Sequence, residues 1–174
     1  IESWLMGLVQ VATNTVTSGV STVSILGITT DDVYMVAVSG MKSSGDITNL
    51  NIQVTKSSDN SADSSANYDY AYKKLRTGSS FDNTGVQNDT APTLGNGGTG
   101  TGEMANYIIY CYNFNNSSEF SFFTYEPTTF DFQAELVGNT GGLVHTVNQS
   151  CNGLLFKYSS GNITAGTFTL YKVI

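Results

Sequence analysis

Charge is the first thing this sequence lacks. Asp, Glu, Lys and Arg make up only 12% of its 174 residues, about half the ~25% of an ordinary soluble domain. Seven residues are basic and fourteen acidic, for a net charge of −7 and an isoelectric point near 4.3. Nucleic acids and anionic membranes are gripped by clustered Lys and Arg. Lys73, Lys74 and Arg76 are the only such cluster, and they read as the solvated end of a strand. Neither partner is expected. No apolar run approaches the ~20 residues of a membrane-spanning helix.

Cysteine and histidine are scarce too. Cys111 and Cys151 are the only cysteines, too few for a disulfide framework and without metal-ligand spacing. Each falls in an apolar run, where a thiol behaves as a small buried hydrophobe, so both are expected reduced and unpaired. The single histidine, His145, stands among Val144, Thr146 and Val147. A lone strand histidine is usually structural, because a base needs an oriented partner. No nucleophile-elbow motif and no zinc-ligand histidine pair occurs. Glu126, Asp131 and Glu135 are candidates for glycosidase-type pairing, but strand ends and outer faces explain them as well. The expectation is a non-enzyme with no catalytic residue and no cofactor. Asp59, Asn60 and Asp63, and again Asp82, Asn83, Asn88 and Asp89, hold the oxygens that hard cations take. Their spacing matches no cation loop and turn formation accounts for them, so no metal site is assigned.

What the sequence has is hydroxyl and aromatic groups: 20 Ser and 22 Thr, with 18 Gly, 10 Tyr and 9 Phe. This composition suits strands with wet outer faces and not helices, which favour Ala, Leu, Glu and Lys. Period-two alternation recurs along the chain. Leu50, Ile52 and Val54 alternate with Asn51 and Gln53, as in a half-exposed strand. Val33 to Met41 is apolar on both faces, the pattern of a central strand covered on both sides. Further strands are expected at 4–11, 20–28, 68–75, 104–114, 120–127, 130–136 and 143–148, with Gly138 to Gly142 as a turn. A closing hairpin spans Leu154 to Val173, where Phe168 and Leu170 alternate with Thr167 and Thr169 around a Ser159-Ser160-Gly161-Asn162 connection. Residues 77–102 show no periodicity and carry five glycines between 95 and 102, which reads as one long polar loop and the prime contact surface. The fold class is all-β: a single antiparallel β-sandwich over 1–174, jelly-roll-like.

The C-terminal residues carry a resemblance. Phe156, then Ser160-Gly161-Asn162-Ile163, Gly166-Thr167-Phe168 and Leu170-Tyr171 resemble the ending of small virion structural proteins of tailed, especially marine, phages, described as tail-fibre or tail proteins. Val23-Ser24-Ile25, Gly27-Ile28, Asp32-Val33-Tyr34 and Tyr68-Asp69-Tyr70 are similar to that family's opening. Lys172 departs from it, standing where the family has Gly. The resemblance implies a non-enzymatic protein of the virion, assembled in the host cytoplasm and homo-oligomeric among other virion proteins. A trimer is the analogy of this class of fold. It implies no catalytic residue. A capsid-decoration protein and a free carbohydrate-binding module are the alternatives.

Candidate contact residues come from the aromatic pattern. Tyr68, Tyr70 and Tyr72 share one strand face and suit packing within the protein or between subunits or, less readily, a host-surface glycan. Phe81, Val86 and Leu94 are the apolar anchors of the 77–102 span.

Overall fold

A computed structural model of the chain describes residues 7–78 and 81–174. Among them are twelve strands and no helix: β1 (Leu8–Val16), β2 (Thr22–Leu26), β3 (Tyr34–Ser43), β4 (Thr48–Lys56), β5 (Tyr68–Arg76), β6 (Asp82–Asp89), β7 (Thr93–Gly97), β8 (Ala105–Tyr112), β9 (Ser121–Phe130), β10 (Leu136–His145), β11 (Cys151–Tyr158) and β12 (Ile163–Val173). Two antiparallel sheets pack face to face as a β-sandwich. The large one has the order β1-β12-β3-β8-β9-β10-β5-β6, and the small one β2-β11-β4-β7. Two hairpins, β5–β6 and β9–β10, form one side of the large sheet. Setting them aside leaves eight strands that interleave as 1-8-3-6 and 2-7-4-5 along the chain.

Alternation builds these strands and decides what they bury. β9 is the clearest case, with Ser121, Phe123, Tyr125, Pro127 and Thr129 inward and every intervening residue exposed. The core lies between the sheets: Val36 and Val38 of β3, Leu50, Ile52 and Val54 of β4, Ile109 and Cys111 of β8, Leu154 and Phe156 of β11, Phe168 and Leu170 of β12. Aromatic rings interlock across it. Phe156 meets Phe168 at 5.2 Å between centroids, and Phe114 meets Phe123 edge-on at 5.0 Å. Each fully buried side chain of this kind contributes about 1.5–3 kcal/mol. Both cysteines are free and buried.

The expected first strand, 4–11, begins outside the described residues, and its second half lies in β1. Residues 77–102 are not one loop. They contain β6, which pairs with β5, and β7, which pairs with β4. Gly95 and Gly97 lie in β7 because Tyr107 Oη and the Tyr158 ring would sit 2.8 and 2.6 Å from an added Cβ. These glycines make room for core aromatics rather than a loop. The 130–136 strand is also corrected. Asp131 accepts hydrogen bonds from the Gln133 and Glu135 amides and Ala134 takes φ +57°, so 131–135 reverses the chain. Gly138 to Gly142, expected as a turn, runs through the middle of β10. A Cβ on Gly141 would lie 2.3 Å from the Ala71 carbonyl of β5, so glycine there permits the strands to approach. β4 is not half-exposed. Asn51 and Gln53 are buried, donating to the carbonyls of Ala91 and Thr90. β3 is central, as its apolar pattern implies, and its outer face is covered in part: Met35 is buried, Ala37 half-buried and Ser39 exposed.

The free edges of the large sheet differ. β1 reads Leu-Val-Gln-Val-Ala-Thr-Asn-Thr-Val, with no charge or proline, interrupted only by a bulge at Val11. β6 carries Asp82 and Asp89 at its two ends.

Candidate functional site

Three places gather polar or apolar groups in ways the core does not require. The first surrounds His145, the last residue of β10, which points inward opposite Ser121 of β9 and Tyr68 of β5. Asp63 reaches it from the segment after β4, held there by its amide, which donates to the Val54 carbonyl. His145 Nε2 lies 2.8 Å from Asp63 Oδ2, and the Ser65 amide and Asn67 Nδ2 also donate to that carboxylate. Burial alone would raise the Asp63 carboxyl; the bonds from His145, Ser65 and Asn67 outweigh it and hold the group well below the usual carboxylate range. Tyr68 Oη donates to the Asp63 carbonyl and accepts from the Val54 amide, and its ring lies 5.0 Å from the imidazole. Burial pushes the Tyr68 phenol up.

Cys151 adjoins Ser121, so a hydroxyl, a thiol, an imidazole and a carboxylate meet in one knot. The membership is that of a nucleophile–base–carboxylate set, but the physics is not. His145, Ser121 and Cys151 are each 0% exposed, leaving no face for a reacting atom. Burial pushes the Cys151 thiol up to about 11, the reverse of an activated nucleophile. The knot ties β4, β5, β9 and β10 together.

The second place gathers Arg76, at the end of β5, with Asp131 and Glu135. Its Nη1 donates to Glu135 at 3.1 Å and to Gln133 Oε1, and its Nη2 lies 3.7 Å from Asp131, which is buried. Those two carboxylates therefore pair with a guanidinium that clamps the β9–β10 turn. Glu126 sits on the opposite face of β9, exposed, and does not join them. Asp59 closes its own turn through Ser61, while Asp82, Asn83, Asn88 and Asp89 lie along β6. Among the described residues no group of three or more His, Cys, Asp or Glu side chains is placed to hold a metal ion.

The tyrosine ladder faces inward. Tyr68 is fully buried. Tyr70 and Tyr72 stack at 6.2 Å with rings 5° apart, and Tyr72 sets its edge against Tyr125. Burial, then the neighbouring Asp89, pushes the Tyr70 phenol up to about 12. Leu94 is buried in the core and Val86 half-buried on β6. Of the six residues singled out from the sequence, Phe81 alone is largely exposed, at 62%, with the Lys73 ammonium 5.5 Å from its ring centroid.

The third place is the outer face of the large sheet. Register aligns Tyr171, Met35, Tyr110, Thr124, Gly142, Ala71 and Gly85 in one row across seven strands. The neighbouring row carries Tyr112, Phe122, Val144 and Asp69, with Leu8 and Val173 at its far end. On the other side lie Ala37, Ile108 and Glu126, and further on Thr140 and Lys73. Leu8, Phe122, Tyr110 and Ile108 are all exposed; the charged residues in these rows are Glu126, beside Ile108, and Asp69 and Lys73 on β5. The first row changes character midway. Large side chains occupy β12, β3 and β8, whereas Gly142, Ala71 and Gly85 leave β10, β5 and β6 almost bare. The result is a shallow groove of about 630 Å³, walled by Asp69 and Gln87.

Sequence reasoning passed over this face. The alternation of Tyr110 and Tyr112 with the buried Ile109 and Cys111 was its visible signal. The groove had none, since its three floor residues come from three strands. Comparison with known proteins adds no identity: no protein-family model, no curated protein and no solved structure matches the chain.

Proposed function

We propose that this chain is a non-enzymatic structural protein of a tailed-phage virion, tail-fibre or adhesin-like, that works as a homo-oligomer through its outer sheet face. The observation that carries this reading is the band of exposed apolar and aromatic side chains on that face, which carries few charges. Contiguous apolar patches of this extent on a soluble chain mark interaction sites, and charge depletion is the compositional mark of an interface core. The chemistry agrees. Asp63, Asp131, Glu135 and His145 are committed to internal partners, Glu126 stands apart from them on the outer face, and the one convergent knot is closed to solvent.

The C-terminal residues support the same reading. Ser160-Gly161-Asn162-Ile163 makes the β11–β12 turn, with Gly161 at φ +79° and the Asn162 amide bonded to Ser44 Oγ. Phe168 and Leu170 enter the core while Tyr171 lies on the outer face. The residues that resemble the phage signature thus specify a strand and its turn. We read the 1-8-3-6 and 2-7-4-5 interleaving as a jelly roll. A capsid-decoration role rests on the same surface.

Antibody labelling of intact particles, read by electron microscopy, tests the proposal. Label on the tail is expected; label on the capsid lattice moves the protein to the decoration role. Particles without label, together with a purified chain that stays monomeric, refute the virion reading.

A further inference from the structure

The outer face is self-complementary, and we propose that it is a two-fold contact between two copies of this chain, with Tyr110 of each seated in the Gly142–Ala71–Gly85 groove of the other. This deepens the homo-oligomer reading above and rests on it. The argument starts from the change of character along the central row: large residues on β12, β3 and β8, bare backbone on β10, β5 and β6. A two-fold axis lying in the contact plane, parallel to the strands and between β9 and β10, exchanges the two halves of that row. It superposes β9 on β10, β8 on β5 and β3 on β6 of the second copy. Tyr110 then lies over Ala71, and Met35 over Gly85.

The neighbouring rows obey the same operation. Phe122 meets Val144 of the second copy, apolar on apolar. Tyr112 faces Asp69, so a phenol donates to a carboxylate. Glu126 falls opposite Thr140 and beside Lys73, setting opposite charges together. An axis centred on β9 instead would press Glu126 against its own copy. The register therefore rejects the axis centred on β9.

Extent supports a second copy over a small ligand. Six strands at ~4.8 Å and three rows at ~6.8 Å project to roughly 600 Å², close to the ~800 Å² per partner of a standard interface. Twist in both sheets confines the closest approach to the central strands, which are the ones paired above. Such a contact is isologous and yields dimers or even-numbered assemblies, not the closed trimer suggested by fold analogy.

Glycine geometry supplies a clean test. An added Cβ on Gly85 meets nothing within 4 Å, and its φ is not left-handed, so Gly85→Tyr fills the groove without disturbing the fold. Sedimentation velocity of the full chain should show a dimer, and Gly85→Tyr should weaken dimerisation at least tenfold while leaving the monomer's melting temperature unchanged. In a second arm, the double variant Ala71→Cys/Tyr110→Cys should be joined into a covalent dimer by a short bis-maleimide. Each single variant should not, because both native thiols are buried. An oligomer that ignores Gly85→Tyr and gives no cross-linked dimer overturns this face and leaves the virion reading standing. A chain that stays monomeric throughout removes both. A monomer that binds a glycan array and loses binding in Gly85→Tyr also overturns the proposal, and assigns the groove to a saccharide.

Discussion

Replacing Asp63 with Asn should remove the largest single part of this chain's loss of stability in acid. In the native chain its carboxylate accepts from His145 Nε2, the Ser65 amide and Asn67 Nδ2 and is almost fully buried. Its folded carboxyl titrates well below the ~3.9 of an unfolded Asp. A depressed carboxyl contributes stability that is fully present above the unfolded value and is lost as pH falls toward the folded one. Between about pH 4 and 3 the parent should therefore lose up to ~1.4 kcal/mol per pH unit from this group alone. The Asn variant keeps the shape but cannot be charged. It leaves His145 buried without its carboxylate partner, which should cost about 1–3 kcal/mol at pH 7. Urea unfolding followed by far-ultraviolet circular dichroism at pH 7, 5, 4 and 3 measures both effects. Asp32 and Asp59 are also depressed, so the difference between variant and parent carries the result. If the two proteins lose stability in parallel from pH 5 to 3, or differ by less than 0.5 kcal/mol at pH 7 against that ~1–3 kcal/mol expectation, the knot does not hold the fold as described.

Glycine spacing in β10 gives a paired prediction. Gly141→Ala should destabilise by at least ~1–3 kcal/mol, because its Cβ meets the Ala71 carbonyl and the Tyr72 backbone; Gly142→Ala, 3.5 Å from its nearest neighbour, should cost much less by the same unfolding assay. Phe156→Ala should cost about 3–5 kcal/mol through the cavity left against Phe168, seen as a lower urea midpoint with an unchanged slope. A thiol probe at pH 8 should label neither cysteine in the native chain and both after denaturation. A Cys151 thiol near 11 leaves only roughly one in a thousand ionised at that pH, and rapid native labelling would show that the knot opens.

Strands that alternate on one face were legible in the sequence because burial writes itself at every second residue. Phe168 and Leu170 of β12 declare themselves in this way, and Leu50, Ile52 and Val54 mark β4 by the same rhythm although the polar residues between them are buried too. The failures share a cause. β6, reading Asp-Asn-Thr-Gly-Val-Gln-Asn-Asp, has almost no apolar face to alternate, because it is an edge strand held by its pairing with β5. β7 is short, and its glycines are there for the rings of Tyr107 and Tyr158. Gly141 and Gly142 look like a turn because glycine signals both reversal and close approach, and only the neighbouring strand tells them apart. The candidate contact residues were read from aromatic density, which cannot choose a face. The register turned Tyr68, Tyr70 and Tyr72 inward and left Tyr110, Tyr112 and Phe122 outside. Asp63 and His145 stand 82 positions apart, and nothing local in either stretch announces the other.

The place of β12 between β1 and β3 also sets the order in which this domain can assemble. Among the described residues β1 pairs only with β12, and every other described strand precedes β12 in the chain. Until it arrives, the uncharged edge of β1 waits in the nascent chain with nothing to pair with, through the synthesis of every other strand. Two of the large sheet's ladders close at once when β12 inserts, so the sheet should close only after β12 has emerged, on the millisecond-to-second scale of sheets built from distant pairings. A ribosome that stops short of β12 releases a product with β1 unpaired and β3 open on one side. Such a fragment is a substrate for chaperones and proteases rather than a poisonous partial subunit. One strand thereby decides whether the large sheet is finished or left open at two of its ladders.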